Sequence, residues 1–131
     1  SSQPLIILDG AHNPHAVAPL VATMKERYGQ LDKQVLFTCI QTKAIEEMLE
    51  LWSGLEKSQL TLTTFEDSRA YSVRDMQEIA HQKGLPYQEW KVFLTQYLER
   101  KLQQSDLLLV TGSLYFLAQV RAFLIEEISR R

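Results

Sequence analysis

Short apolar runs alternate with amphipathic segments along almost the whole 131-residue chain, and this alternation limits the possible folds more than any other feature. The apolar runs predict strands over residues 5–8, 34–40, 60–65 and 107–110. Strands that alternate with helices are typical of βαβ units around a parallel sheet, and runs that are apolar at nearly every position indicate burial on both faces. The sequence therefore predicts one α/β domain: a three-layer, Rossmann-like arrangement in which a mostly parallel sheet of about four to six strands is flanked by helices.

Helices are predicted from apolar stripes at helical spacing and from the residues that start or stop them. Asn13 is a strong N-cap and Pro14 suits the first helical position, so a helix begins here and ends after Tyr28, at Gly29. The other predicted helices are a segment capped by Thr42, a segment that starts at Ser72 and is ended by Gly84 and Pro86, an amphipathic segment from Trp90 to Leu102, and residues 113–128.

The composition excludes several classes of function. A net charge of −2 gives no electrostatic footprint for nucleic acid, and no apolar run approaches the roughly 20 residues that a membrane-spanning helix needs. Cys39 is the single cysteine, which excludes an internal disulfide, and its place in an apolar run predicts a buried, unreactive thiol in a reducing cytoplasm. Because Ser1 stands only a few residues before a strand, we expect residues 1–131 to be one domain of a longer protein.

The most informative local motif joins the first predicted strand to the first helix and reads DGAHNP over residues 9–14. It places Asp9 and His12 in a tight turn at the carboxyl end of a strand. In open α/β sheets this edge is where ligands bind. Asp9 is therefore predicted to be a hydrogen-bond acceptor and His12 a titratable group of a binding site, while an ordinary strand-to-helix turn remains the alternative.

A second turn, TGSLYF over residues 111–116, repeats this pattern before the last helix. Gly112 allows close approach of a ligand to the backbone, and Ser113 with the N–H groups behind it suits a carboxylate or phosphate. The alternative is that Ser113 only caps the helix. Since parallel strands share a carboxyl edge, both turns are predicted on one side of the sheet. Lys43, at the predicted start of the second helix, lies at this edge and is either a carboxylate partner or a solvated lysine.

Motifs that would assign another enzyme class are absent from the sequence. It contains no GxxxxGK[ST] phosphate loop, no GxGxxG fingerprint, no GxSxG elbow and no His/Cys cluster with metal-ligand spacing. His15 and His81 are predicted to be exposed helix residues, and Glu46-Glu47 and Glu126-Glu127 to be solvated charges. No catalytic residue and no metal ligand is therefore predicted within this chain.

Taken together, the two turns resemble the C-terminal domain of folylpolyglutamate synthase, which in many bacteria is also a dihydrofolate synthase and belongs to the Mur ligase superfamily. The resemblance depends on DGAHNP followed by His15-Ala16, and on TGSLYF. It extends to Phe37-Thr38-Cys39-Ile40 and Asp67-Ser68-Arg69-Ala70 between them and covers essentially the whole chain.

This resemblance implies an ADP-forming ligase that phosphorylates a carboxylate of a folate and lets the amine of L-glutamate attack the acyl phosphate. ATP and Mg²⁺ would be held mainly by a separate N-terminal domain, so the chain alone is expected to be inactive. A cytoplasmic monomer that binds neither nucleic acid nor a membrane is expected.

The resemblance also implies roles for individual residues. By match to the family's motifs, Asp9 would bind the ATP ribose, His12 would lie near the glutamate or the phosphates, and Ser113 would contact a glutamate carboxylate. Lys43 and Arg69 are further candidates for carboxylate contacts, although Lys43 lacks the acidic flank that is common in relatives.

Two other functions remain compatible with the sequence. A Mur-type ligase that acts on a cell-wall precursor would share these motifs, although Tyr115-Phe116 resembles the folate enzymes more. A stand-alone small-ligand module of receiver or flavodoxin type would use the same edge of the sheet. A receiver, however, needs further acids beside Asp9, and the sequence has none there.

Overall fold

Strands and helices alternate along the chain except that two helices follow the third strand, as the sequence predicts. The computed structural model describes residues 5–99 and 105–131. Within these ranges the elements are β1 (Leu5–Asp9), α1 (Pro14–Tyr28), β2 (Lys33–Phe37), α2 (Ile45–Ser53), β3 (Ser58–Leu62), α3 (Val73–Lys83), α4 (Trp90–Leu98), β4 (Leu107–Thr111) and α5 (Leu114–Arg130).

The described strands form one parallel sheet in the order β1-β4-β2-β3, so β4 lies in the interior although it is the last of the described strands along the chain. The register aligns the strand ends: Asp9 pairs with Thr111, Thr111 with Phe37, and Phe37 with Leu62. All these carboxyl ends therefore lie level at one edge. We call this edge, with the loops that follow the four strands, the rim. The predicted parallel α/β architecture is confirmed.

Side chains alternate between the two faces of the sheet and build a core on each. On β4, Leu107 and Leu109 belong to the cluster that includes α1, α2 and α3, whereas Leu108 and Val110 pack with α4 and α5. All four side chains are completely buried, and each such burial stabilises the fold by about 1.5–3 kcal/mol. Helices thus cover both faces, which is the predicted three-layer arrangement.

Most helix ends follow the capping residues that the sequence predicts. The side chain of Asn13 accepts the N–H of Ala16 at 2.9 Å, and Ser72 caps α3 in the same way. Gly84 ends α3 with a left-handed φ of +66°. Gly29 ends α1 in a right-handed conformation, with φ of −57°.

At the end of α1, the buried side chain of Lys33 supplies the cap that Gly29 does not. Its Nζ donates to the carbonyl oxygens of Tyr28 at 3.0 Å and Leu31 at 2.7 Å. Burial lowers the pKa of this ammonium group. Nothing in the local sequence pattern singles out this lysine.

Two predicted strands end three residues earlier in the structure, whereas β1 and β4 each extend one residue further, to Asp9 and Thr111. β2 ends at Phe37 rather than at Ile40, because Ile40 leaves the sheet and forms an antiparallel bridge with Ala70. β3 covers Ser58–Leu62 rather than residues 60–65, and Phe65 instead packs from the following loop into the cluster beneath α4 and α5. Apolar residues beyond a strand thus fill the core without continuing the ladder.

The prediction that Thr42 caps α2 is wrong, and so is the placement of Lys43 at the first position of that helix. The N-cap residue is Ala44, and no side chain caps this helix. The hydroxyl of Thr42 instead accepts the N–H of Ala44 at 3.1 Å, which makes a local turn. Lys43 lies in this turn, before the helix.

The remaining predictions on helices concern their ends and their environment. α5 continues to Arg130, two residues past the predicted Ile128, and α4 ends at Leu98, while Leu102 lies outside the described residues. No helix within residues 5–99 and 105–131 is long and apolar enough to cross a membrane. His15 and His81 are exposed on helices, as predicted.

Candidate functional site

The two turns that the sequence singles out are direct neighbours at the rim. Asp9, which ends β1, pairs in register with Thr111, which ends β4. The two turns also pack against each other, because a Cβ added to Gly10 would lie only 3.0 Å from Cγ of Leu114, the first residue of α5. The predicted convergence of the two turns on one edge of the sheet is therefore observed.

Hydrogen bonds within the first turn hold the side chains of Asp9 and His12. Oδ1 of Asp9 accepts the N–H of Ala11 at 3.0 Å, which leaves Oδ2 without a partner in the described part of the chain. Nδ1 of His12 lies 2.9 Å from the carbonyl oxygen of Gly10. Because a carbonyl only accepts, Nδ1 carries the proton, and Nε2 is the acceptor of the neutral ring. His12 is exposed and Asp9 is partly buried.

The second turn is more tightly packed than the first. Gly112 has φ of +122° and lies against the backbone of Thr38, so that a Cβ there would overlap the Thr38 carbonyl group. Ser113 is 3% exposed, and its hydroxyl oxygen accepts the N–H groups of Tyr115 at 3.2 Å and Phe116 at 3.4 Å. The Ser113 hydroxyl therefore caps α5, and its oxygen is already used within the turn.

The loops after β2 and β3 are joined to each other. Beyond the bridge between Ile40 and Ala70, the N–H of Gln41 donates to the carbonyl of Arg69 at 2.8 Å, and its side-chain amide donates to that of Ala70 at 3.1 Å. The hydroxyl of Tyr71 then bonds Thr42 twice: it accepts the N–H at 3.1 Å and donates to the carbonyl at 3.0 Å.

Arg69 reaches from the loop after β3 to the start of α5. Its Nε and Nη2 donate to the two carboxylate oxygens of Asp67 at 2.9 Å and 2.7 Å, and its guanidinium carbon lies 3.9 Å from the ring centroid of Tyr115. The bonds from Arg69 lower the pKa of the Asp67 carboxyl to about 2, and Asp67 in turn raises the pKa of Arg69. Arg69 is therefore ionised, but part of its charge and of its donor capacity is used by Asp67.

Among the predicted site residues, Lys43 has the side chain with the fewest interactions in the described ranges. It is exposed in the loop after β2, and its ammonium group has no ion pair or hydrogen bond within residues 5–99 and 105–131. The nearby acid on α2, Glu46, is paired with Lys83. Lys43 is thus a rim cation that is available to an external carboxylate.

The rim thus offers acceptors, an imidazole and cations, but no preformed metal site. No group of three or more His, Cys, Asp or Glu side chains that could hold a metal ion occurs in the described ranges. Cys39 lies in the loop after β2 and is buried, and burial raises the pKa of its thiol to about 12. The predicted burial of Cys39 is confirmed.

Three residues that shape the rim were not predicted from the sequence as site residues. Asp67 orients Arg69, Tyr115 supports the guanidinium, and Tyr71 holds the backbone beside Lys43. The Asp67–Arg69 pair has a local signal, because an acid two residues before an arginine in a loop can fold back on it. The contact between Tyr71 and Thr42 joins residues 29 positions apart and leaves no such pattern.

Comparison with known proteins supports the family resemblance. The family model for the Mur ligase glutamate ligase domain matches residues 1–114, which include the whole first turn and the second turn as far as Leu114. The dihydrofolate synthase/folylpolyglutamate synthase of Bacillus subtilis (strain 168) is 27% identical over 118 residues, which is 90% of this chain and 27% of that protein. The chain thus spans little more than a quarter of the length of the curated relative it matches.

Solved structures share the fold. The bifunctional folylpolyglutamate synthase/dihydrofolate synthase of Yersinia pestis, in complex with AMPPNP and Mn, is 27% identical with a TM-score of 0.75, over 95% of this chain and 29% of that chain. E. coli FolC in complex with ADP has the same TM-score of 0.75 and the same coverage, 95% and 29%, at 21% identity, and supports the fold alone. The resemblance to folylpolyglutamate synthases seen in the sequence is thereby confirmed.

Proposed function

Because this chain belongs to the Mur ligase family, as a glutamate ligase domain, we propose that it is the C-terminal domain of a folylpolyglutamate synthase and contacts both L-glutamate and the nucleotide. The observation that carries this proposal is the meeting of the two turns at one rim, with Asp9 paired to Thr111 and Gly10 packed against Leu114. Such a shared edge allows a nucleotide and an amino acid to bind side by side.

The proposed reaction is ATP-dependent amide-bond formation in the cytoplasm. A carboxylate oxygen of the folate attacks the γ-phosphorus of ATP, and ADP leaves. The amine of L-glutamate then attacks the acyl carbon, loses a proton and expels phosphate. Most of the chemistry is positioning of the amine against a short-lived acyl phosphate, since well-oriented reactants save about 7–11 kcal/mol of the barrier.

Asp9 and His12 are proposed to face the nucleotide and the incoming amino acid. Oδ2 of Asp9 has no partner in the described residues, so it is free to accept a ribose hydroxyl. With Nδ1 bound to Gly10, Nε2 of the exposed His12 is the ring atom that can meet the glutamate or a phosphate. Asp9 is fixed by the bond to Ala11, which lowers the entropy cost of binding.

Lys43 is proposed to be the principal cation for the glutamate carboxylates. Arg69 keeps free N–H donors for a carboxylate, although Asp67 uses Nε and Nη2 and makes it the weaker candidate. Ser113 acts mainly by fixing the start of α5, because its hydroxyl oxygen already accepts two N–H groups. The proposed contact of Ser113 with a glutamate carboxylate therefore uses only the hydroxyl proton or the helix start.

The residues of the rim do not fit a complete Mg²⁺ site. The described ranges hold no cluster of three or more potential metal ligands, so the proposed domain division leaves magnesium and most of the phosphate contacts to another part of the enzyme. When bound there, Mg²⁺ would neutralise phosphate charge.

Kinetics of the full-length enzyme that carries this domain test the proposal. Asp9→Ala is expected to raise the KM for ATP by about 10- to 100-fold, the range for a lost hydrogen bond to a charged group, with little effect on the KM for L-glutamate. Lys43→Ala is expected to raise the KM for L-glutamate, with little effect on the KM for ATP. Ser113→Ala should affect mainly L-glutamate. The isolated 131-residue chain should show no ATP- and glutamate-dependent turnover.

Matched controls remove the same groups away from the rim. Asp32 is an exposed acid just before β2, at the opposite edge of the sheet, and Lys25 is an exposed lysine in the last turn of α1. Asp32→Ala and Lys25→Ala should leave both KM values unchanged. If the enzyme is active and neither Asp9→Ala nor Lys43→Ala alters a KM, the proposed roles of these two residues are refuted. Turnover by the isolated chain would refute the proposal that another part of the enzyme holds Mg²⁺ and most of the phosphate contacts.

A further inference from the structure

The structure assigns a role to Tyr71: we propose that its hydroxyl is the positioning group that fixes Lys43 at the rim and thereby sets the affinity for an acidic amino acid. This inference rests on the proposed function but names a residue that does not itself touch the substrate. Tyr71 comes from the loop after β3, whereas Lys43 lies in the loop after β2.

The hydroxyl of Tyr71 satisfies both backbone groups of one residue. It accepts the N–H of Thr42 at 3.1 Å and donates to the Thr42 carbonyl at 3.0 Å, so the peptide groups on both sides of Thr42 are held. The second of these peptide groups leads directly into Lys43. The hydroxyl keeps its donor proton at neutral pH because the ordinary pKa of tyrosine is about 10, and burial raises the pKa of Tyr71 further.

The ring of Tyr71 is a rigid support for this hydroxyl. It packs, partly buried, against the core cluster that includes α1, α2 and α3. The neighbouring backbone is held as well, since Gln41 bonds Arg69 and Ala70. The loop that carries Lys43 is therefore attached to the fold mainly through residues 40–42, and Tyr71 supplies the last attachment before the lysine.

The Lys43 backbone has few other attachments: among residues 5–99 and 105–131, the Thr42 hydroxyl closes the turn around it by accepting the N–H of Ala44. No side chain caps α2, and no described residue pairs with the Lys43 ammonium group. A flexible lysine loses rotamer and backbone entropy when it binds a carboxylate, and prior fixing of its backbone reduces that cost. The binding of a substrate with two carboxylates is thus expected to depend on a hydroxyl outside the site.

Tyr71→Phe in the full-length enzyme tests this inference, because it removes the hydroxyl and keeps the ring. We expect the KM for L-glutamate to rise about two- to tenfold, with the KM for ATP and the kcat unchanged. In a Lys43→Ala background the same substitution should add nothing further, since the two residues act as one unit. Amide exchange at Thr42 should also become faster.

The control is Tyr87→Phe. Tyr87 is likewise partly buried, with its pKa raised by burial, and its hydroxyl has no hydrogen bond within the described residues. Tyr87→Phe should leave all kinetic parameters unchanged. A purely structural role of Tyr71 predicts less folded enzyme, and hence a lower kcat with an unchanged KM for L-glutamate.

The outcomes separate this inference from the proposed function. If the wild-type enzyme shows no glutamate-dependent turnover, both are overturned. If the wild type is active and Tyr71→Phe keeps the wild-type KM for L-glutamate, or still raises it in the Lys43→Ala background, only the role of Tyr71 is overturned.

Discussion

Replacement of Gly112 by alanine is expected to destabilise the domain more than any other glycine-to-alanine change at a described turn. Gly112 combines two constraints: φ of +122°, which L-residues rarely adopt, and close packing on the backbone of the loop after β2. A Cβ at this position would lie 2.7 Å from the carbonyl carbon of Thr38 and 3.1 Å from the ring of Phe37. The neighbour that must move is backbone, which the Thr38 N–H bond to Thr111 holds in place at 3.3 Å.

The expected cost follows from these two constraints. A non-glycine residue in a backbone region that favours glycine costs about 1–3 kcal/mol, and overpacking against a rigid neighbour costs about 1–3 kcal/mol more. The sum is about 2–6 kcal/mol, a large part of the roughly 5–15 kcal/mol that stabilises a typical domain. At the upper end of this range, the Gly112→Ala variant would show no cooperative unfolding transition.

Urea unfolding of the chain, followed by the fluorescence of the buried Trp52 and Trp90, measures this cost. Gly84→Ala is the matched control, because Gly84 also has positive φ, at +66°, but has no atom within 4 Å of an added Cβ. Gly84→Ala should lower the free energy of unfolding only by the conformational cost of a left-handed residue, about 1–2 kcal/mol. If Gly112→Ala lost no more stability than Gly84→Ala, the argument from backbone packing at the rim would be refuted.

Further predictions concern the second turn, the Asp67–Arg69 pair and the single cysteine. Ser113→Ala should lower the free energy of unfolding by about 1 kcal/mol through loss of the α5 cap, as Ser72→Ala should for α3; an unchanged urea midpoint would contradict this. The pKa of Asp67, depressed to about 2 from 3.8, contributes stability that is full above pH 3.8 and is lost as the pH falls through about 2. Asp67→Asn should therefore weaken the pH dependence of unfolding in that window, whereas an identical dependence would exclude the pairing. Cys39, with its pKa raised to about 12 by burial, should resist alkylation at pH 8 until urea unfolds the chain, and labelling of the native chain would show otherwise.

The sequence predicts the order of the elements well because periodicity reports directly on burial. Alternate residues of β4 enter opposite cores, and a run that is apolar throughout can serve only a strand covered on both faces. The shared rim follows from the same reasoning, since parallel strands place all their carboxyl ends together. Capping residues such as Asn13 and Ser72 carry their signal locally, and both were predicted correctly.

Features set by contacts between distant parts of the chain are not predictable in this way. β2 ends before Ile40, which pairs with Ala70, and the composition of a segment does not reveal which distant residues it pairs with. Thr42 has the residue type of a cap, but its hydroxyl closes a turn and its backbone is bound by Tyr71. Ser113 shows a further limit: a serine before a helix suits both a cap and a ligand contact, and only the hydrogen bonds from Tyr115 and Phe116 show that its oxygen is used as a cap.

The position of β4 inside the sheet has a consequence for the synthesis of this protein. Among the described strands β1 pairs only with β4, yet about a hundred residues are made between them. A chain still growing on the ribosome therefore carries β1 with unpaired backbone groups until Leu107–Thr111 emerges and inserts. Interruption of translation before that point would leave β1 and β2 with edges open to other chains, so the rim is completed only after β4 has been made.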